Sequence, residues 1–230
     1  MQIFTYAPPS VPWLDIRYRD RDILVINKPS GLLSNPGRAE NTYDCALTRL
    51  LQRYPETILV HRLDCATSGI MVFALNKKAE SNIKTQFQNR MSKKTYIAEV
   101  SGLLIQDQGV IELAMKADKT RPPLQVIAED GKPSKTYFKV LERREDSTLV
   151  ELKPVTGRTH QLRLHMLALG HPILGDDFYG EPDVIAASNR LKLHAMTLSI
   201  SHPFSGKEIT FKSFHPFDKT ESEKNISEYC

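Results

Sequence analysis

The chain has 230 residues, 40% of them hydrophobic, which is enough to bury a core without disulfides or a structural metal. Its three cysteines form no CxxC pair, which argues against a disulfide framework and a zinc knuckle and favours a reducing, cytoplasmic setting. A net charge of +4 permits a polyanionic partner without requiring one. We expect no secretory signal and no membrane span, since no apolar run approaches the ~18 residues that a spanning helix needs.

The first predicted elements follow a Pro-rich arm, which we assign to residues 1–14. The apolar run Ile23–Ile26 predicts a buried strand, and the Gly/Pro-rich loop NKPSGLLSNPG follows it. From Asn41 to Tyr54 apolar residues recur at helical spacing, and Pro55 ends that predicted helix.

A second strand and helix are predicted next. Ser68–Leu75 is a short apolar run, and Asn76 is a suitable N-cap for the helix that follows. The apolar stripe of this helix has a spacing of four residues and consists of Ala79, Ile83, Phe87 and Met91. Thr95–Val100 then predicts a strand that returns to the sheet.

The second half of the chain is predicted to contain more strands than helices. Tyr137–Leu141 and Leu149–Lys153 alternate as a half-buried pair of strands, and Thr159–Leu169 is a helix that Gly170 ends. Alternation from Met196 and a turn at HPFSGKE predict an antiparallel hairpin.

These elements predict an α+β fold class, with one domain on a mostly antiparallel mixed sheet and flanking helices. No repeat or low-complexity block interrupts the domain, which we assign to residues 15–214. The polar segment 215–230 is expected to be a disordered tail.

Several well-known catalytic motifs are missing from the sequence. It contains no P-loop, no GxGxxG after the first strand, no HExxH and no GxSxG. His160 and His165 are five residues apart on one predicted helix, which separates them by about 500° and disfavours a shared metal. We therefore predict no metal site, and expect chemistry from charged residues in loops at strand ends.

The stretch HRLDCATSG, residues 61–69, is the first candidate for such chemistry. Asp64 lies just before a predicted strand, and a carboxylate beside arginines stays ionised and can act as nucleophile or base. Taken alone, the stretch is more simply interpreted as a solvated Arg–Asp pair in a turn.

Two further segments add charged residues. VTGRTHQLR, residues 155–163, is predicted to start a helix on which His160 and Arg163 share a face, so that Arg163 can point into a cleft. The alternative is an amphipathic helix with a polar outer face. NKPSGLLS is predicted to be a tight turn that exposes Lys28, or else an ordinary turn at a strand end.

The order of these segments resembles that of a known family. NKPSGLLS, HRLDCATSG, KKTY at residues 93–96, VTGRTHQLRLHMLALGHPILGD and LHA at residues 193–195 are similar to the successive motifs of the RluA-type pseudouridine synthases. The resemblance extends from about Asp15 to Ser213 and includes no S4-type RNA-binding extension. It implies one pseudouridine-synthase catalytic domain.

The resemblance also implies roles for individual residues. Asp64 is implied to be the essential aspartate, which attacks the ribose or the uracil ring or removes a sugar proton. Tyr96 is implied to stack on the flipped base, and Arg163 to pair with the aspartate and keep it anionic. Arg62 is implied to fill the gap that the uridine leaves, and Leu162 to line the pocket. Because the isomerisation exchanges one glycosidic bond for another, no cofactor, metal or ATP is implied.

The implied partners are RNA stem-loops. Contacts to RNA are predicted from residues around the cleft, namely Lys28, His61, Lys93, Lys94, Arg158, His160 and Leu162. The segment Lys116–Lys135 is interpreted either as an RNA contact or as a solvated linker. Similar enzymes modify position 32 of a tRNA anticodon stem-loop and position 746 of 23S ribosomal RNA, and we expect this chain to do so as a monomer, without a protein or membrane partner. The alternatives are a non-catalytic RNA-binding domain of the same fold and a carboxylate-dependent hydrolase.

Overall fold

The computed structural model describes residues 6–37 and 39–217, and the chain divides into two compact units. Of the described residues, the first unit contains 6–37, 39–92 and 197–213. The second contains 93–196 and 214–217. Most of the predicted tail, from residue 218, lies outside the described residues, as do the first five residues of the predicted arm.

The described residues contain eleven strands, four α-helices and one short 3-10 helix at Glu40–Thr42. The strands are β1 (Ile16–Arg19), β2 (Ile23–Lys28), β3 (Ile58–Leu59), β4 (Ser68–Ala74), β5 (Lys93–Ser101), β6 (Gln108–Ala117), β7 (Gln125–Ile127), β8 (Lys132–Arg143), β9 (Ser147–Pro154), β10 (Leu193–Ser201) and β11 (Glu208–Lys212). The α-helices are α1 (Ala46–Arg53), α2 (Lys77–Gln88), α3 (Gln161–Ala168) and α4 (Pro182–Ala186).

Antiparallel pairing builds the sheet of the first unit. β2 lies between β1 and β4, with Val25 opposite Val72, and β3 pairs with the end of β4. Thr197–Ser201, the part of β10 in this unit, pairs antiparallel with β11. The core packs these strands against Ala79 and Ile83 of α2. The strands and the hairpin predicted in this unit are confirmed.

The N-terminal arm is held more closely than its prolines suggest. The Tyr6 hydroxyl donates to the Asp44 carbonyl oxygen at 2.6 Å and accepts the N–H of Leu33 at 3.0 Å. Burial raises the pKa of Tyr6 to about 12. Further along the arm, the Arg49 guanidinium lies 4.1 Å above the centre of the Trp13 ring. The described part of the arm is therefore anchored at two aromatic residues.

The second predicted helix forms with the expected start. Asn76 caps α2, since its side-chain oxygen accepts the N–H of Ala79 at 2.9 Å. The predicted apolar stripe is too long, however, because Met91 follows the end of the helix and is 60% exposed.

The first predicted helix starts later than expected. It was predicted from Asn41, whereas α1 begins after Cys45. Cys45 and Thr48 form a reciprocal capping box, in which the Cys45 N–H donates to the Thr48 hydroxyl at 3.0 Å. A cysteine is an unusual N-cap, which is why composition alone did not indicate this boundary.

The second unit contains a five-stranded antiparallel run in the order β5-β9-β8-β6-β7. The predicted half-buried pair is confirmed, with Tyr137 opposite Lys153. The segment Lys116–Lys135 is not a solvated linker, since it contains the end of β6, all of β7 and the start of β8. The interpretation as a linker was wrong because the segment is rich in charged residues and its strand β7 has only three residues.

Helix α3 packs against β6, β7 and β8. It begins two residues later than predicted, at Gln161, because His160 has a left-handed backbone with φ of 56°. The expectation that His160 and Arg163 share a helix face is therefore wrong. The predicted end is confirmed by Gly170, whose φ of +80° is the usual conformation of a helix-ending glycine.

The α+β class and the largely antiparallel pairing are thus both confirmed. Within the described ranges, we find no helix with the length and apolar character needed to cross a membrane.

Candidate active site

Two loops of the first unit are joined around Asp64. We call residues 61–67 the carboxylate loop and residues 28–34 the cradle loop. The Ser34 hydroxyl donates to the Leu63 carbonyl oxygen at 2.6 Å and accepts the Leu63 N–H at 3.1 Å. On the other side of Asp64, the Gly31 N–H donates to the Cys65 carbonyl oxygen at 2.9 Å. The backbone on both sides of Asp64 is therefore fixed by the cradle loop.

Lys28 lies at the centre of this junction, and the prediction that it is exposed is wrong. Its side chain is fully buried, and Nζ donates to the carbonyl oxygens of Pro29 at 2.9 Å, Leu32 at 2.6 Å and Cys65 at 3.0 Å. Three donated bonds use all three N–H groups of an ammonium. The turn folds over its own lysine because buried carbonyl oxygens need donors.

Asp64 itself occupies the start of a turn into β4. Its carbonyl oxygen accepts the Thr67 N–H at 3.1 Å, and its side chain is half-buried. The residues before it alternate, since Arg62 is exposed and Leu63 is buried. The predicted turn is confirmed, and it places a half-buried carboxylate just before a buried strand.

His61 is held from two sides. Its Nε2 accepts the N–H of Val72 at 3.0 Å, and its ring stacks on Phe87 with centres 4.7 Å apart. An accepting Nε2 makes the ring the neutral tautomer with its proton on Nδ1. These contacts tie the start of the carboxylate loop to β4 and α2. A contact of His61 with RNA stays a prediction.

In the second unit, Gln161 organises the loop that precedes α3. Its side-chain oxygen accepts from the Thr156 hydroxyl at 2.7 Å and from the Arg158 N–H at 3.0 Å. Its side-chain nitrogen donates to the Lys135 carbonyl oxygen and to the Thr136 hydroxyl, both at 3.0 Å. A buried amide with these four bonds fixes the loop against β8. The sequence showed the glutamine but not this role.

Arg163, on α3, is buried with a carboxylate of its own unit. Its side chain is 2% exposed and that of Asp176 is 1% exposed. Nε donates to Asp176 Oδ2 at 2.9 Å, Nη2 donates to Asp176 Oδ1, and Nη2 also reaches Asp177 Oδ1 at 3.1 Å. The sequence analysis gave neither aspartate a role, although Asp176 is the last residue of the quoted motif VTGRTHQLRLHMLALGHPILGD.

His160 and the aromatic residues of GDDFYG lie together in the second unit. His160 Nδ1 is 2.7 Å from the Tyr179 hydroxyl, which also accepts the Gln125 N–H at 2.9 Å. The Arg163 guanidinium lies 4.6 Å from the Phe178 ring centre and 5.3 Å from that of Tyr179. The predicted site residue His160 is therefore buried among aromatic rings.

The remaining predicted residues of this unit differ in exposure. Tyr96, on β5, is half-buried opposite Leu152, Lys93 is exposed, and Leu162 is buried in α3. The partly exposed Arg158 donates from Nε to the Pro133 carbonyl oxygen at 3.4 Å.

Lys94 is confined near the loop before α3. Its Nζ is 3.7 Å from the position where a Cβ at Gly157 would lie, so an added Cβ there would be in ordinary van der Waals contact with the amine. Burial lowers the pKa of the Lys94 amine from its usual range. An amine placed in this way gains more from a phosphate partner than an exposed one does, since the local dielectric is lower.

The described residues include one group with the donor types of a metal site. Ligand atoms of Asp20, Asp22 and His202 lie within 4.8 Å of one another. Asp20 already accepts from the N–H groups of Asp22 and Ile23, and His202 Nε2 lies 2.7 Å from its other oxygen. His202 Nδ1 accepts two backbone N–H groups, so Nε2 carries the proton and is not a ligand. The group therefore closes a turn and does not fit a metal.

His165, on the buried side of α3, predicts a pH dependence of stability. Burial lowers its pKa to about 4, and Nε2 lies 2.8 Å from the Ser134 hydroxyl. The unfolded chain binds a proton near pH 6.5 and the folded chain does not, so stability falls as the pH drops from 6.5 towards 4. At pH 5 the expected loss relative to pH 7 is about 2 kcal/mol. Urea unfolding at both pH values checks this, with His165→Leu as the comparison, which should lack that loss. An equal pH dependence in both proteins would contradict the prediction.

Comparisons with known proteins agree with the order of the motifs. A family model described as RNA pseudouridylate synthase matches residues 22–168. The protein named dual-specificity RNA pseudouridine synthase RluA from Escherichia coli K12 is 51% identical over 215 residues, which cover 93% of this chain and 98% of the relative. Its counterpart from Salmonella typhi is 50% identical over 214 residues, with 92% and 98% covered. The solved structure of human RNA Pseudouridylate Synthase Domain Containing 1 is 34% identical, with a TM-score of 0.79, and the match covers 93% of this chain and 88% of that one.

Proposed function

The chain belongs to the RNA pseudouridylate synthase family and isomerises uridine to pseudouridine in RNA, and we propose that Asp64 is the carboxylate that carries out this reaction. The observation that supports Asp64 is the junction of the carboxylate and cradle loops. Bonds on both sides of Asp64 fix its backbone just before β4, while Asp64 stays half-buried. A reacting group held in this way loses little entropy when the substrate binds.

The reaction exchanges bonds at one uridine. The N1–C1′ bond breaks, the uracil turns, and a C5–C1′ bond forms as C5 loses a proton and N1 gains one. No electrons are exchanged with another molecule, so the chemistry requires a nucleophile or base and a proton acceptor only. Asp64 begins the reaction by attack at C1′ or C6, or by removal of the C2′ proton.

We assign supporting roles to residues of the second unit. Tyr96 stacks on the extruded uracil and takes the C5 proton, Arg163 pairs with the reacting carboxylate, and Leu162 lines the pocket. The resemblance of KKTY and HQLR to the family motifs supports these roles.

Arg62 is proposed to replace the uridine in the stack. A uridine in a stem-loop must leave the stack before a side chain reaches its sugar, and this costs a few kcal/mol. Arg62 is exposed two residues before Asp64, and its planar guanidinium suits stacking between bases.

Arg62→Met should therefore slow the reaction of stacked uridines. We expect kcat/KM on a stem-loop to fall about 10- to 100-fold. The reason is that unstacking the uridine costs a few kcal/mol, which the stacked Arg62 side chain would no longer offset. The deficit should shrink to about threefold or less on an RNA whose target uridine a mismatch has already unstacked. Arg21→Met is a suitable control, because Arg21 is an exposed arginine that precedes the first residue of β2, whereas the carboxylate loop lies by its last residue. Equal deficits on both RNAs would argue against the role.

Phosphate contacts are proposed for Lys93, Lys94 and Arg158, which carry positive charge at β5 and before α3. The segment Lys116–Lys135 contributes less than its composition suggests, because Lys116 pairs with Asp130 at 2.6 Å and Arg121 with Asp118 at 2.9 Å. Lys28 is withdrawn as an RNA contact, since its three donated bonds are internal.

We propose a tRNA anticodon stem-loop and 23S ribosomal RNA as substrates, acted on in the cytoplasm by a monomer. The support is that relatives about 50% identical are named dual-specificity enzymes. Pseudouridine mapping in cells with and without the gene tests this, and two lost sites, one in each RNA class, are expected. Loss in one class alone would contradict dual specificity. An unchanged RNA mass after incubation would exclude the hydrolase alternative.

A further inference from the structure

Asp176 is one of the most completely bonded carboxylates in the second unit. Oδ2 accepts from Arg163 Nε at 2.9 Å. Oδ1 accepts from Arg163 Nη2 and from the N–H groups of Phe178 at 3.0 Å and Tyr179 at 3.1 Å. The turn that begins at Asp176 therefore holds the carboxylate, and the carboxylate holds the guanidinium at two nitrogens.

Hydrogen bonds and aromatic rings both restrict the Arg163 side chain. Two parallel N–H to oxygen bonds fix the plane of the guanidinium, and they do so on the edge formed by Nε and Nη2. The Phe178 and Tyr179 rings lie within 5.3 Å of its central carbon. One four-residue turn, DDFY at residues 176–179, thus supplies the counter-charge, the plane and the aromatic neighbours.

Asp177, an exposed aspartate in the same turn, is a weaker partner of Arg163. Asp177 reaches Arg163 Nη2 through one oxygen at 3.1 Å, and its side chain is 58% exposed. A single bond at a solvated carboxylate restrains little, because water competes for both groups. Asp176 and Asp177 therefore form a matched pair in which only the buried member fixes the arginine.

We infer that Asp176 is a positioning residue for the isomerisation, which sets the orientation of the Arg163 guanidinium that the reaction uses. This inference rests on the proposed function of Arg163. It adds that Asp176 neutralises Arg163 in the ground state, so that Arg163 acts through geometry more than through net charge. Asp176 is expected to touch neither the RNA nor the reacting atoms.

Asp176→Asn and Asp177→Asn test the inference in the full-length protein. Asp176→Asn keeps the volume of the side chain but removes its charge and one hydrogen-bond acceptor. In steady-state assays kcat should therefore fall about 100-fold, as expected when a catalytic group is misplaced by about 1 Å. KM should stay within about twofold, since substrate binding is not affected. Asp177→Asn should retain both constants. Asp176→Asn that keeps the wild-type kcat would overturn the inference.

Asp176→Glu guards against a failure of Asp176→Asn to fold. It keeps the counter-charge of the buried Arg163 and moves the carboxylate by one methylene, so the fold should persist while kcat falls about tenfold. Circular dichroism verifies the fold. Wild-type kcat in a folded Asp176→Glu protein would also overturn the inference.

An Arg163→Lys background separates positioning from a general structural effect. A lysine cannot form the two-nitrogen fork, so adding Asp176→Asn there should lower kcat by only about threefold or less. Fully additive losses would show that Asp176 acts independently of Arg163 and would sink the inference. If instead Asp64→Asn retains activity, the proposed function itself fails, and this outcome is distinct from the others.

Discussion

Replacing Asp64 by Asn should abolish pseudouridine formation without unfolding the protein. Asn has nearly the same shape but is neither a nucleophile nor a base at neutral pH, so the rate should fall by at least about 1,000-fold. The backbone bonds around residue 64 come from Ser34 and Gly31 and do not involve the carboxylate. The protein should therefore stay folded, which circular dichroism verifies. Primer extension after a pseudouridine-specific adduct reaction measures the product on a stem-loop RNA.

Asp107→Asn is the matched control for this experiment. Asp107 is an exposed aspartate that pairs with Arg143 at 2.7 Å on the surface of the second unit, so its loss should leave the rate within about twofold. RNA binding by Asp64→Asn should persist, because the phosphate contacts are elsewhere. An Asp64→Asn protein with the wild-type rate would remove Asp64 from the mechanism.

Lys28→Met should destabilise the protein and disturb the carboxylate loop together. Methionine retains the length of the side chain but donates no hydrogen bond, so three carbonyl oxygens, one buried and two partly buried, lose a donor. We expect a loss of about 3 kcal/mol in the free energy of unfolding and a fall of about 6 to 12 °C in Tm. Because Cys65 is one of the acceptors, kcat should also fall, by about 100-fold.

Lys77→Met is the control, since Lys77 is 86% exposed at the start of α2 and pairs only with Glu80 among the contacts described for it. Its Tm should stay within about 2 °C of wild type. Differential scanning calorimetry measures both variants. If Lys28→Met had the same Tm as Lys77→Met, Lys28 would not be the donor that holds the two loops together.

The fold was predictable wherever a short-range pattern decides the outcome. The apolar residues Ile23–Ile26 predicted β2, and the apolar run Ser68–Leu75 predicted β4. Asn76 predicted the start of α2. Gly170 likewise predicted the end of α3. Each of these signals lies within a few residues of the element that it predicts.

Predictions failed where distant residues decide a conformation. His160 lies outside the helix, and its ring packs with those of Tyr179 and Phe178, nineteen and eighteen residues away. The spacing of residues in the sequence does not indicate that contact. Lys28 was expected to be exposed, as lysines usually are, but its third acceptor, Cys65, is 37 residues away. The candidate site shows the same limit, since Asp176 ends a quoted motif but its contact with Arg163, thirteen residues away, was not predicted.

The junction of the carboxylate and cradle loops also has a consequence for folding. Its bonds join residues that are 29, 36 and 37 positions apart in the chain, so loop closure must precede them. The pairing of β2 with β4 brings the two loops together, because Lys28 and Gly69 end that ladder opposite each other. A chain whose first unit has not folded therefore lacks an ordered Asp64. The protein therefore becomes catalytically competent only after β2 and β4 have paired, which requires contacts between residues far apart in the chain.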